Sequence, residues 1–318
     1  MEFPLGTNAI EFLAEHRYNV LTQFMQFVSF MGEVEGYVLI VTALYSMVDK
    51  KLAYQLAMLA LISMALNHIL KTLIAVQRPF VKEKTYLKYW LVSPEKAQEL
   101  VSEFSTPSGH AMSSMSFYGY LIFKSKTRFL TGIFICTIIL IGISRPYVGV
   151  HFFEDIFLGW FFGLLLLLLI LKTKIVSHLE KWNNLKLTTQ IQIVFVFSLA
   201  VWLITFYING GKIQNQPLPF VGYLGFIMGL TIGYYLEKKT VNVNPKSKSW
   251  AIKLTRWIIT VIVVMIPVLL LDKFMENYWT TPTYYSHLIQ YLGYVLSGFM
   301  GIFLTSYVYK KTGMIESY

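Results

Sequence analysis

Long apolar runs parted by short polar segments fill most of the 318-residue chain. A helix needs about 20 mostly apolar residues to cross the hydrocarbon core of a bilayer. Nine stretches approach that length, at residues 34–48, 52–75, 107–123, 129–143, 152–171, 189–208, 218–236, 257–271 and 288–309. The first, fourth and eighth are short and draw on their flanks, and Glu33 and Glu35 interrupt the start of the first. Upstream, residues 3–31 mix aromatic with polar positions, which predicts an amphipathic segment in the membrane interface. The expected fold is an all-α polytopic transmembrane bundle of about nine spans. It divides into an interfacial segment (1–33), a core (34–175) and a membrane region of four further spans (176–318).

Composition sharpens this reading. Hydrophobic residues make up 55% of the chain and charged residues 14%, against about 25% charged in a soluble domain. The net charge of +10 would suggest nucleic acid in a soluble protein. Here the cations gather in alternate loops instead: Lys50 and Lys51; Lys124, Lys126 and Arg128; Lys172, Lys174, Lys181 and Lys186; Lys238 to Arg256; Lys310 and Lys311. That bias marks the cytoplasmic face, so no nucleic-acid partner is expected. Nine spans then put the N-terminus outside and the C-terminus inside, with loops 78–106 and 144–151 on the non-cytoplasmic face. The single cysteine, Cys136, excludes an intrachain disulfide and a cysteine-rich metal site. Residues 1–17 lack the pattern of a cleavable signal peptide, so the first span is expected to act as the insertion signal.

Three polar stretches fall on that non-cytoplasmic face. Lys71 and Arg78, seven apart and followed by Pro79, would lie about 20° from one line on a helix that Pro79 would stop. Thr106-Pro107-Ser108-Gly109-His110 would open a span, with Pro in the first turn. The N–H groups of Ser108 and Gly109 would face an anion, and His110 would stand by as a proton donor. Ser144-Arg145 lead into His151 and, one turn on, Asp155. A carboxylate four residues along a helix can take the Nδ1–H of His151 and leave Nε2 as a free lone pair. Glu154 points elsewhere. Each stretch alone also fits an ordinary helix end. Together they supply three cations, two histidines and a carboxylate beside spans, where charge is costly and marks function. Such a set suits a phosphoryl group, and it lacks the carboxylate cluster that Mg²⁺ would want.

Lys71-x6-Arg78-Pro79, Pro107-Ser108-Gly109-His110 and Ser144-Arg145-x5-His151-x3-Asp155 together resemble the three-part signature of the type 2 phosphatidic acid phosphatase superfamily. That superfamily includes lipid phosphatases, glucose-6-phosphatases and sphingosine-phosphate phosphatases. The resemblance covers residues 52–171 and implies a six-helix-type phosphatase core, with the C-terminal spans as an addition. It implies catalysis by His151 as nucleophile, Asp155 as its orienting partner and His110 as general acid and base. Lys71, Arg78, Arg145, Ser108 and Gly109 would hold the phosphate, without metal or cofactor.

The expected substrate is a lipid phosphate or lipid pyrophosphate, whose chain could stay between helices. Loop 78–106 and the N-terminal segment would cover its entrance. A soluble sugar phosphate is the alternative, because the spans after the His151 helix resemble the glucose-6-phosphatase layout. Phosphotransfer to another lipid is disfavoured by the Lys-x6-Arg-Pro element, and an anion transporter would not need paired histidines with an aspartate. The compact chain points to a bacterial inner membrane with the site facing the periplasm. The four C-terminal spans could line a lipid path, form a homodimer interface or carry a second activity.

Overall fold

The computed structural model describes residues 6–79, 91, 103–173, 182, 184–213, 220–245, 249–279 and 283–315. All regular elements among them are helical. They are α1 (Gly6–Glu15), α2 (Asn19–Phe30), α3 (Val34–Ala43, with a π-helical turn Leu44–Val48), α4 (Lys50–Ile74), α5 (Gly109–Lys124), α6 (Arg128–Val148), α7 (Phe153–Lys172), α8 (Leu187–Ile208), α9 (Phe220–Thr240), α10 (Trp250–Tyr278), α11 (Tyr284–Phe299, then a π-helical turn Met300–Leu304) and α12 (Thr305–Lys311). Most of loop 78–106, with Lys174, Lys181, Lys246 and Lys248, lies outside the described residues.

Among the described residues, seven helical segments are long and apolar enough to cross a bilayer, and α2 with α3, bent by 66° at their junction, makes an eighth where the pair counts as one span. The ninth expected span is α5, which has 16 residues and rises about 24 Å, short of the roughly 30 Å hydrocarbon core. It is shorter than expected because Ser108 caps it and Pro107 stays outside. Residues Glu103, Ser105, Thr106 and Ser108 before it are irregular but buried. Enclosure by protein is what makes non-helical backbone tolerable in a membrane protein. A second difference concerns Arg256. Because α10 begins at Trp250, this residue sits in the helix and not in a basic loop. It is fully buried and donates to the carbonyl of Pro245 at 2.8 Å.

The described residues form two compact units. The first takes residues 6–37 and 66–173. Here α5 and α7 pack backbone to backbone, because Gly159 and Gly163 of α7 present no side chain. A Cβ on Gly159 would lie 2.7 Å from the Ser108 carbonyl oxygen, and one on Gly163 would collide with that of Met112. Small residues four apart give this close approach between membrane helices. The opposite face of α7 exposes Phe157, Phe161, Leu164 and Leu168, an apolar surface suited to lipid. In the second unit α9 packs on α11 by the same device, with Gly225, Gly229 and Gly233 against the backbone of Tyr291, Val295 and Phe299. A buried charge there is paired: Lys50 lies 3.0 Å from Glu237.

Candidate active site

Helix direction within the first unit determines where the polar residues meet. The end of α4, the start of α5, the end of α6 and the start of α7 share one end of that unit. Gly149, at φ 89°, closes α6 in the left-handed conformation, and its N–H and that of Val150 both return to the Arg145 carbonyl. This tight turn delivers His151 to the start of α7 almost fully buried, at 1% exposure.

The His151 ring has different partners on its two sides. Nδ1 lies 3.1 Å from Ser105 Oγ and 3.3 Å from Asp155 Oδ2. The Ser105 hydroxyl gives its own proton to Asp155, so toward the ring its oxygen can only accept. Thr106 and the Phe152 N–H also donate to Asp155. This network assigns the ring proton to Nδ1 and the lone pair to Nε2. Nε2 lies 3.3 Å from Arg78 Nη1. Burial first, then the charges of Arg78, Lys71 and Arg145, hold the ring's proton affinity well below that of a free imidazole.

Lys71 and Arg78 do converge, although not on one helix. α4 ends at Ile74, and Ala75 takes the left-handed region at φ 52°, so the chain turns away before Arg78. Instead Glu103 draws the two cations together. One carboxylate oxygen bonds Lys71 and the other bonds Arg78, with all three side chains buried. Burial pushes the Glu103 carboxyl up, but Lys71 and Arg78 outweigh it and hold it well below the usual carboxylate range. Arg78 also donates to the Val150 carbonyl at 3.1 Å, which ties it to the His151 turn.

At the start of α5 the expectation of two free N–H groups changes. The Ser108 N–H donates to the Asp155 carbonyl at 3.0 Å, and its hydroxyl accepts from Ala111 as the helix cap. The Ser108 N–H is therefore already engaged within the protein. Beside Gly109, a Cβ would meet the side-chain oxygen of Asn67 at 3.0 Å; Asn67 also donates to the Pro107 carbonyl at 3.1 Å. His110 lies at the same end. Its Nε2 is 3.8 Å from Glu33 in the turn between α2 and α3. Arg145, one turn from the end of α6, donates to Ser29 of α2.

The structure thus gathers His151, Asp155, Arg78 and Lys71 into one hydrogen-bonded cluster, with Ser108 joined through Asp155. Gly109 and His110 follow from the Ser108 cap, and Arg145 from the turn before His151. Sequence reasoning missed Glu103, Ser105, Thr106, Ser29 and Asn67 as partners. For Glu103, Ser105 and Thr106 the signal available was polarity at three of the four positions before Pro107. Among the described residues, no three His, Cys, Asp or Glu side chains are grouped to hold a metal ion.

Comparison with known proteins adds three findings. Residues 51–176 match the PAP2 superfamily, and residues 221–317 match the transmembrane extension of PAP2 superfamily phosphatases. The chain is similar to phosphatidylglycerophosphatase B of Bacillus subtilis (strain 168), at 40% identity over 96 residues. That match covers 26% of this chain and spans 47% of the relative's length. A solved transmembrane PAP2 type phosphatidylglycerolphosphate phosphatase, also from Bacillus subtilis, matches at 24% identity with a TM-score of 0.42, covering 52% of this chain and 83% of that one.

Proposed function

This chain belongs to the PAP2 superfamily and carries that superfamily's phosphatase transmembrane extension, and from that premise we propose that it is an integral-membrane phosphatase working through a phosphohistidine at His151. The substrate is a lipid phosphate or lipid pyrophosphate, no metal takes part, and the site faces the non-cytoplasmic side of a bacterial inner membrane. The observation that carries the reading is the His151 ring, with Ser105 and Asp155 on Nδ1 and a guanidinium at Nε2.

In this mechanism Nε2 attacks phosphorus while Asp155 balances the charge that grows on the ring. Arg78 turns its donor from Nε2 to a phosphoryl oxygen, and Lys71, Arg145 and the Gly109 N–H hold the others. His110 protonates the leaving oxygen, then takes a proton from the water that cleaves the N–P bond. Phosphoryl transfer depends mainly on positioning and charge stabilisation, and acid–base help contributes roughly 10²–10⁴-fold. Similarity to a phosphatidylglycerophosphatase favours a lipid over a soluble sugar phosphate. Lys124, Arg128 and Lys172 stand at the helix ends opposite the site, which supports the non-cytoplasmic orientation.

Phosphate release by the purified protein from a panel of lipid and sugar phosphates tests the reading. His151→Gln should lower turnover by about 10³-fold or more with unchanged thermal stability, and EDTA should leave the parent activity intact. Retention of more than a few per cent activity in the variant would remove His151 as nucleophile. An absolute need for added Mg²⁺ would refute the metal-free chemistry.

A further inference from the structure

His151 has a carboxylate of its own, and the second histidine of the site meets one from outside the matched domain. Glu33 lies in the turn between α2 and α3, upstream of residue 51 where the PAP2 match begins. Its Oε1 is 3.8 Å from His110 Nε2, with both side chains partly exposed. The turn is fixed there. Tyr118 of α5 donates to the Met31 carbonyl at 3.2 Å. A Cβ on Gly32 would lie 3.1 Å from His110 Cδ2 and 2.7 Å from Ile141, so only glycine lets the turn sit this close. One turn earlier, Ser29 accepts from Arg145.

Charge explains what this contact can do. His110 is faced by Arg145 from α6, by Lys71 from α4 and by His151 from the turn before α7. Burial first, then the two cations, oppose a protonated ring, and Glu33 favours one. We propose that Glu33 is the positioning residue of His110: its carboxylate takes the Nε2–H, turns Nδ1 toward the leaving oxygen and offsets part of the cost of charging the ring before it gives up its proton.

This rests on the phosphatase reading above. The His151 lone pair forms the N–P bond, the P–O pair passes to the leaving oxygen, and the His110 Nδ1 proton joins that oxygen to give the alcohol. In the second half a water oxygen bonds phosphorus, the N–P pair returns to His151, and one water proton restores His110.

The test exploits leaving groups. An alkyl alcohol must be protonated as it leaves, whereas 4-nitrophenolate departs without a proton. Glu33→Gln should lower kcat/KM for a lysophosphatidic acid by about 10–100-fold, part of the acid-catalytic contribution, and change it little for 4-nitrophenyl phosphate. The basic limb of the pH profile, taken as the ratio of variant to parent so that substrate ionisation cancels, should move to lower pH. Glu33→Asp, one methylene shorter, should show the same selective loss in weaker form, and it decides the matter if Glu33→Gln does not fold. Equal losses on both substrates, an unmoved basic limb or parent-like kinetics would each overturn the proposal. A parent protein that releases no phosphate from either substrate, or a His151→Gln variant that remains active, would instead sink the reading beneath it.

Discussion

At the scale of single residues, the site is a balance of buried charges. Lys71, Arg78 and Arg145 bring three positive charges, while Glu103 and Asp155 return two negative ones, so a neutral His151 can persist among them. The ring's proton affinity is depressed by burial and by those cations. Protonation is therefore deferred in the folded protein, and the acid limb of kcat/KM should fall well below the pH of about 6.5 at which a free imidazole titrates. A pH–rate profile checks this; an acid limb at or above 6.5 would contradict the assignment of His151 as the unprotonated nucleophile. The same depression has a stability consequence. Below that pH the unfolded chain binds a proton that the folded site refuses, so this group's contribution declines as pH falls. Glu103 acts in the same sense but lower, since its stabilisation is present above the unfolded carboxylate pKa and is lost as the carboxylate is protonated.

At the scale of elements, the apolar runs foretold most helices and the signature residues foretold most of the cluster. What stayed hidden has physical causes. Ala75 has no sequence mark of a left-handed residue, so Arg78 looked like part of α4 when it lies beyond it. Glu103, Ser105 and Thr106 lie in irregular chain, where no period reveals which way a side chain points. Ser29 and Glu33 are remote in sequence from the residues they meet. The glycines of α7 could be read as small, but their facing partner could not. That pairing makes a direct prediction: Gly163→Ala would drive a methyl into the Met112 carbonyl and separate α5, which carries His110, from α7, which follows His151 and carries Asp155. Activity should drop at least tenfold, with a loss of about 1–3 kcal/mol in stability. Gly132 of α6 has open space around its Cβ position, so Gly132→Ala should be neutral or gain about 0.5–1 kcal/mol. Thermal unfolding and phosphate release measured on both variants check the contrast.

At the scale of the whole molecule, the proposed orientation can be read from two exposed positions of the first unit. Gln77 adjoins Arg78 at the site end, and Lys126 lies between α5 and α6 at the other. With Cys136 replaced by alanine, a membrane-impermeant maleimide added to intact cells should label Gln77→Cys and spare Lys126→Cys; the reverse pattern would turn the site toward the cytoplasm. The shortness of α5 then acquires a meaning for the lipid around it. If, in that orientation, α5 runs along the membrane normal from the cytoplasmic boundary, its rise of about 24 Å would leave His110 roughly 6 Å below the outer edge of an average hydrocarbon layer. A phosphate carried on a lipid would then have to sink past the carbonyl region to reach the histidines, or the bilayer would have to pucker inward around the protein. Membrane thickness would thereby become a variable of the proposed reaction, with thin, short-chained bilayers presenting the ester at the depth where the imidazoles wait.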